Sequence, residues 1–462
     1  MARSFDLVVI GAGPGGYPAA IRGAQLGLST ACVERDLLGG VCLNWGCIPS
    51  KALLKTAELA NKIRHADDYG LSTGELGVDF DKVIARSRKV SKRFNKGVGG
   101  LFKKYGVNSI AGTGVLKDAH TVVVTDQDGN EETITAKHIV VATGARARTF
   151  PGIEPDGERI LTYREAIVDT DRPDRLIVLG AGAIGMEFAY FMNAMGTEVT
   201  VVEGLDEVLP IEDREIGKEV RRQLTKLGIT FKLGTFVDNV RRDGDETVVT
   251  LKGGEELRAD KTLIALGVSP NTGGIGLEDL GVKLERGFIA VDNSYKTNVD
   301  GIYAVGDVNN LGPALAHTAT AQAHVCVERI AGHHAHDVDY SNMPSCTYCM
   351  PQVASIGLTE EKAKEQGLTY KVGKFPFIAN GKAQGAGSPE GFVKVLIDPE
   401  YGEILGAHIV GSEATEMIAD FAMARSAEAT AELFIHTVHA HPTNGEAMME
   451  AVAQALGQSV HI

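Results

Sequence analysis

Short apolar runs alternate along this chain with alanine-rich stretches, and in two places the order is the same. Residues Asp6 to Ile10 form an apolar run of strand type that meets the turn Gly11-Ala12-Gly13-Pro14-Gly15-Gly16. An alanine-rich helical stretch follows through Leu26, and a second apolar run, Ser29 to Val33, ends at Glu34. Pro18 falls in the first turn of that helix, where its missing N–H costs little. The plan recurs as a strand at Arg175 to Leu179, the turn Gly180-Ala181-Gly182-Ala183-Ile184-Gly185, a helix to about Met195 and a strand from Glu198 to Val202 ending at Glu203. Strand, glycine turn, helix and strand make a dinucleotide-binding unit, so two such units are expected, about one domain apart.

The remaining pattern is mixed. Residues 51 to 100 read as mainly helical and charged, while 107 to 141 alternate as strands joined by turns such as Asp128-Gly129-Asn130. Beyond about residue 345, Val353 to Leu358, Gly391 to Ile397 and Ile404 to Val410 predict strands, and Glu413 to Ala427 predicts a helix. The expected fold class is therefore α/β, with two Rossmann-like dinucleotide-binding domains followed by a C-terminal α+β domain.

Composition narrows the possibilities. A chain of 462 residues is too long for one core, and its 44% hydrophobic content can fill several. The formal charge of -14 and a pI near 5.5 argue against electrostatic binding of nucleic acid. The run Leu7 to Ile10 is too short for a signal-peptide core, and no apolar stretch is long enough to span a bilayer. Six cysteines, at 32, 42, 47, 326, 346 and 349, are too sparse for a secreted disulfide framework. A cytoplasmic, reducing compartment is expected, in which a disulfide serves redox chemistry rather than scaffolding.

Each glycine of the two turns has a physical task. The first makes the turn, the second lets the backbone approach a pyrophosphate, and the third lets helix and strand pack closely while the helix N-terminus faces the phosphates. The expected cradles are Gly11, Gly13 and Gly16 in the first unit and Gly180, Gly182 and Gly185 in the second. Glu34 and Glu203 each stand 23 residues after the first glycine, where an acidic side chain meets a ribose hydroxyl. A carboxylate at 203 accepts from a 2′-OH and repels a 2′-phosphate, and residues 204 to 209 contain no arginine, so NAD is favoured over NADP. Cys42 and Cys47, five residues apart at the entrance to a helix, can close a disulfide locally, and the helix N-terminus lowers the pKa of the thiolate that it faces. An inert cysteine pair would not require the flanking Gly39-Gly40, Gly46, Pro49 and Lys51.

The segment Gly39 to Lys51 resembles the redox-active disulfide motif of the pyridine nucleotide-disulfide oxidoreductases, in wording nearest the members that act on dihydrolipoamide rather than on glutathione disulfide or mercuric ion. The resemblance covers essentially the whole chain. It implies that Cys42 exchanges with substrate and that Cys47 contacts a flavin. Val140-Val141-Ala142-Thr143-Gly144 resembles the segment beside the flavin, and Thr297 through Gly306-Asp307 resembles the second FAD motif. It follows that the first unit holds FAD and the second NAD, with Thr143, Gly144, Gly306, Asp307 and Lys51 on the flavin side. Lys51 and Glu187 match a lysine and glutamate that the family pairs beside the flavin. His439-Ala440-His441-Pro442-Thr443-Asn444-Gly445-Glu446 resembles the element whose second histidine is the acid-base catalyst, His441 here, oriented by Glu446. Asn444-Gly445 departs from the commoner Leu-Ser.

The resemblance also implies a domain plan: 1–148 for FAD, 149–274 for NAD, 275–345 returning to the FAD domain and 346–462 for dimerisation. It implies a homodimer, without membrane or nucleic-acid partners, that oxidises dihydrolipoamide on a lipoylated protein of a 2-oxo acid dehydrogenase complex or glycine cleavage system. The alternatives are an NADH-dependent reductase of another disulfide or of a metal ion, and a non-catalytic flavoprotein subunit of a larger assembly. Cys346 and Cys349 lack zinc-type spacing to a second ligand pair and are expected to be structural; no metal site is expected, and His333 to His336 reads as a solvated loop. Val268 stands where the family usually carries an arginine.

Overall fold

The first apolar run becomes the strand Arg3–Ile10, paired in parallel with Thr30–Glu34 on one side and Glu131–Val141 on the other. Asn108–Ala111 extends one edge, Ile302–Ala304 joins Glu131–Val141 in parallel, and Thr121–Thr125 and Thr113–Asp118 add antiparallel strands. Leu7, Val8, Val9 and Ile10 are all buried, because helices or loops cover both faces of a largely parallel sheet. Helix Gly16–Gln25 packs on the sheet through Gly16, Ala19, Ala20 and Gly23. The face must be small: a Cβ on Gly23 would stand 2.6 Å from Leu7 Cδ2.

These elements belong to the first of two units in the computed structural model, which describes residues 3–462. That unit comprises residues through Ala52, 81–148 and 267–340; the second comprises 53–80, 149–266 and 341–462. The second unit contains another parallel sheet, in the order Thr230–Lys232, Glu198–Val202, Arg175–Leu179, Lys261–Ile264 and Ile160–Leu161. It also contains a five-stranded antiparallel sheet, Ser345–Thr347, Gln352–Gly357, Ile404–Gly411, Phe392–Ile397 and Lys371–Pro376 in spatial order. Helices Ala414–Ser426 and Glu446–Ala455 contribute Met417, Ile418, Phe421, Met448 and Val452 to the core beneath that sheet. The chain thus has two Rossmann-like strand–turn–helix–strand units and a C-terminal α+β portion, the fold class its hydrophobic pattern predicts. No helix among the described residues is long and apolar enough to cross a membrane.

A buried charge cluster in the second unit has no signature in the sequence. Lys394 Nζ, on a strand buried along its whole length, lies 3.0 Å from both carboxylate oxygens of Asp213 and 2.7 Å from Glu360. Asp213 is the N-cap of helix Arg214–Lys226 and is fully buried. Burial alone would lower the ammonium's pKa, but Glu360 and Asp213 raise it to about 12. Glu360, bonded to Lys364 and Lys394, is lowered to about 2.

Lys394→Met is therefore expected to destabilise the protein by about 3–5 kcal/mol, since it leaves the buried Asp213 carboxylate without its cation; urea unfolding at neutral pH measures this. Because Glu360's pKa is depressed on folding, its contribution is complete above its ordinary value of 4.5 and fades as the pH falls towards about 2. The variant should lose the share of that acid dependence that Lys394 supplies, Lys364 keeping the larger one.

Candidate active site

At the end of strand Arg3–Ile10 the chain turns at Gly11, whose φ of +100° favours glycine. A Cβ there would lie 2.3 Å from the carbonyl oxygen of Ala142, and one on Gly16 would lie 1.8 Å from that of Gly11. At Gly13 the direction is open, the nearest atom being Gly40 Cα at 3.9 Å. The turn is thus closed where helix and strand meet and open where a pyrophosphate would approach, which suits a dinucleotide. Glu34, at the end of the neighbouring strand, accepts from the Ala12 amide at 2.7 Å and the Asp36 amide at 2.8 Å. Thr143 Oγ1 donates to Asn271 O at 2.7 Å, and the Asn271 amide donates to Gly144 O at 2.9 Å, fixing the loop beside Gly11.

The cysteine segment packs against this turn, and a Cβ on Gly40 would come within 2.6 Å of Gly13 Cα. Gly39 and Gly40 both have positive φ and start a one-turn helix, Gly40–Asn44, that carries Cys42. Trp45 and Gly46 end it, and Cys47 is the first residue of helix Cys47–Arg64. Cys42 thus stands before the long helix, and the helix N-terminus lies at Cys47. The expected pKa depression does not fall on Cys42. Its hydrogen bond with Cys47 raises its pKa first, burial and the Cys47 charge raise it further, and Lys51 opposes them. Asp307 also acts on Cys42 electrostatically, and burial raises the Asp307 pKa. Cys42, Cys47, Lys51, Asp307 and the first glycine turn are thus brought together in one unit.

The second unit repeats the turn. Gly180 has φ +101°, a Cβ on Gly185 would lie 2.0 Å from Gly180 O, and Gly182 has nothing within 4 Å in its Cβ direction. Glu203 accepts from the Ala181 amide at 2.7 Å and the Leu205 amide at 2.9 Å, matching Glu34. Glu187 is buried in helix Ala183–Ala194, where its carboxylate accepts from the Tyr348 amide at 3.0 Å. His441 Nδ1 lies 2.8 Å from Glu446 Oε1, while the other carboxylate oxygen accepts from the Thr443 amide at 2.8 Å. Burial pushes Glu446 up, but Thr443 and His441 outweigh it and hold the carboxyl below the usual range. The His441 side chain is 79% exposed, its Nε2 edge free of the Glu446 contact.

Sequence reasoning missed Gln322. Its buried carboxamide oxygen accepts from the Gly306 amide and from Asn309 Nδ2, each at 2.7 Å, and its nitrogen donates to Leu311 O at 2.8 Å. One glutamine thereby shapes the loop that carries Asp307; an isolated glutamine in an alanine-rich helix gives no such signal. Cys349 is buried and donates to Pro351 O at 3.3 Å. The guanidinium of Arg148 reaches the Val268 carbonyl at 2.8 Å.

Residues 5–323 match the pyridine nucleotide-disulphide oxidoreductase family, and residues 343–452 match that family's dimerisation domain. The chain is 46% identical to dihydrolipoyl dehydrogenase of Zymomonas mobilis over all of both chains. It is 47% identical to that of Rhizobium etli and 45% to that of Mycobacterium tuberculosis, over 99% of each chain. Among solved structures it is similar to LpdA from Mycobacterium tuberculosis, with a TM-score of 0.91 and 29% identity over 98% of this chain and 99% of that one. It is also similar to the HOCl-induced flavoprotein disulfide reductase RclA from Escherichia coli, solved as a Cu(II) complex, with a TM-score of 0.88 and 25% identity over the same shares. The cysteine pair beside a glycine turn, the repeated turn in the second unit and the full-length likeness lead to one conclusion: the chain belongs to the pyridine nucleotide-disulphide oxidoreductase family.

Proposed function

We propose that this protein is a dihydrolipoamide dehydrogenase, oxidising dihydrolipoamide on a lipoylated protein and reducing NAD+ to NADH with release of one proton. The observation that carries the reading is the Cys42–Cys47 pair packed against a glycine turn built for a dinucleotide. Residues 1–148 and 275–345 form the FAD domain, 149–274 the NAD domain, and 346–462 the interface through which two copies pair. The protein works in a reducing, cytoplasmic compartment, and its carrier belongs to a 2-oxo acid dehydrogenase complex or glycine cleavage system.

In this reading a substrate thiolate attacks Cys42 of the Cys42–Cys47 disulfide, and Cys47 leaves as thiolate. The second substrate thiolate attacks the mixed disulfide, freeing Cys42 and closing the lipoyl ring. His441 takes the substrate proton, and Glu446 fixes the imidazole through Nδ1 so that Nε2 faces the thiol. Gly11, Gly13, Gly16 and Glu34 hold FAD with Thr143, Gly144, Gly306 and Asp307, while Gly180, Gly182, Gly185 and Glu203 hold NAD. FAD, when bound, supplies two-electron transfer from the dithiol to NAD+. Lys51 supplies positive charge beside the flavin.

Cys42→Ser should abolish dithiol oxidation while bound flavin, measured by absorbance, stays stoichiometric. Loss of flavin together with activity would instead make Cys42 structural.

Turnover with NAD+ should exceed that with NADP+ by at least about tenfold in kcat/KM, a discrimination of roughly 1.4 kcal/mol. Equal values would remove Glu203 as the selector.

His441→Gln should lower kcat for dihydrolipoamide by roughly 10²–10⁴-fold, the effect of losing a positioned acid-base group. NADH oxidation by an artificial one-electron acceptor should change little. Mixed Cys42→Ser and His441→Gln subunits should recover one competent site per heterodimer; inactive heterodimers would show that the histidine does not act across the subunit boundary.

A further inference from the structure

Helix Phe80–Tyr105 is charged in a way that neither fold nor chemistry requires. From Lys82 to Lys104 it has no acidic residue, although the chain as a whole carries a net charge of -14. Lys82, Arg86, Lys89, Arg93, Lys96 and Lys103 recur at spacings of four, three, four, three and seven, so they form one stripe along a single helix face. All six are exposed. Lys89, Arg93, Lys96 and Lys103 have no ion pair among the described residues. Phe94 and Leu101, 48% and 39% exposed, stand away from the stripe, roughly 100–130° round the helix.

A row of like charges on one helix is self-repelling, and ion pairs elsewhere on the chain show how such charges are ordinarily balanced. The opposite face of the same helix braces the redox segment. Ser87 Oγ donates to Pro49 O at 3.0 Å, and Asn95 Nδ2 to Leu38 O at 2.8 Å. Arg88 donates to Asn44 O at 2.6 Å and lies 5.0 Å from the Trp45 ring centroid. A partner seated on the stripe is separated from the cysteine segment by the width of one helix, about 10–12 Å with side chains.

We propose that this face docks the protein that carries the dithiol, through an acidic surface on that carrier, so that the basic stripe steers it towards the redox segment. The proposal rests on the function inferred above. Charge complementarity selects the occupant: a second copy of this acidic chain would bring general repulsion, whereas a small acidic domain bearing a lipoyl-lysine meets only the stripe. The arm of that lysine is long and flexible and spans a helix width, so the carrier's folded body need not reach Cys42.

The test uses the full-length holoenzyme, free dihydrolipoamide and a recombinant lipoyl domain with an acidic face, prepared lipoylated and unlipoylated. The triple variant Lys89→Glu, Arg93→Glu, Lys96→Glu should lose at least about tenfold in kcat/KM for the reduced lipoylated domain and flatten its dependence on salt. Its turnover of free dihydrolipoamide should stay within about twofold of wild type. Binding of the unlipoylated domain, followed by fluorescence anisotropy, should weaken by a similar factor. Unchanged domain binding, or equal loss towards domain and free substrate, overturns the proposal. So does binding of a single-stranded oligonucleotide in preference to the domain, or loss of self-association with domain binding intact. Failure of the wild-type enzyme to oxidise free dihydrolipoamide would refute the proposed function, while the anisotropy measurement would still judge the docking face.

Discussion

No side chain can stand at residue 16 or residue 185. A Cβ at either would sit within 2.0 Å of the carbonyl oxygen five residues earlier. This contact lets each helix start directly over the end of its strand, so that helix amides and macrodipole converge on the open side of the turn. The middle glycines, 13 and 182, face that opening. Glu34 and Glu203 then bind the turn's second amide from the adjacent strand, locking turn and acidic residue into one rigid element. Two nucleotide cradles thus follow from one backbone approach made twice.

The redox segment depends on the first of these cradles. Gly40 meets Gly13 backbone to backbone, so the one-turn helix that bears Cys42 is seated against the nucleotide turn itself. Asn44 helps to hold it there, its Nδ2 donating to Leu38 O at 2.9 Å and Gly40 O at 3.0 Å. Each such bond contributes about 1 kcal/mol, but together they fix orientation, which matters more for thiols that must exchange with an external sulfur. The hydrogen bond between Cys42 and Cys47, which raises the Cys42 pKa, marks the two sulfurs as one pair rather than two independent thiols.

Positive charge serves two opposite ends in this molecule. Lys394 is buried, and its value lies in the carboxylates that surround it, joining the cap of one helix to the start of another and to a sheet strand. Lys89, Lys96 and Lys103 on helix Phe80–Tyr105 are solvated and have no ion pair among the described residues, so they contribute little to stability and act at a distance, as a field around the surface. Composition alone, with its acidic balance, would hide both.

Much of the site was legible in the sequence because it is local. Glycine positions, the acidic residue that ends the second strand and the Cys42–Cys47 spacing are each set by short-range geometry: a turn, a strand length, one or two helical turns; the His441–Glu446 pair was legible only through the family resemblance. The strands Arg175–Leu179 and Glu198–Val202 fall where the hydrophobic pattern puts them, because parallel strands buried on both faces must be continuous apolar runs. Tertiary structure decided what depends on distant partners. Lys394 meets Asp213 across 181 residues, so its burial could not be read from neighbours that look like an ordinary strand. Gln322 shapes the Asp307 loop from a separate helix. The pKa of Cys42 is raised by its hydrogen bond with Cys47 and by burial, and both depend on how the segment between Gly39-Gly40 and Trp45-Gly46 is packed rather than on spacing alone.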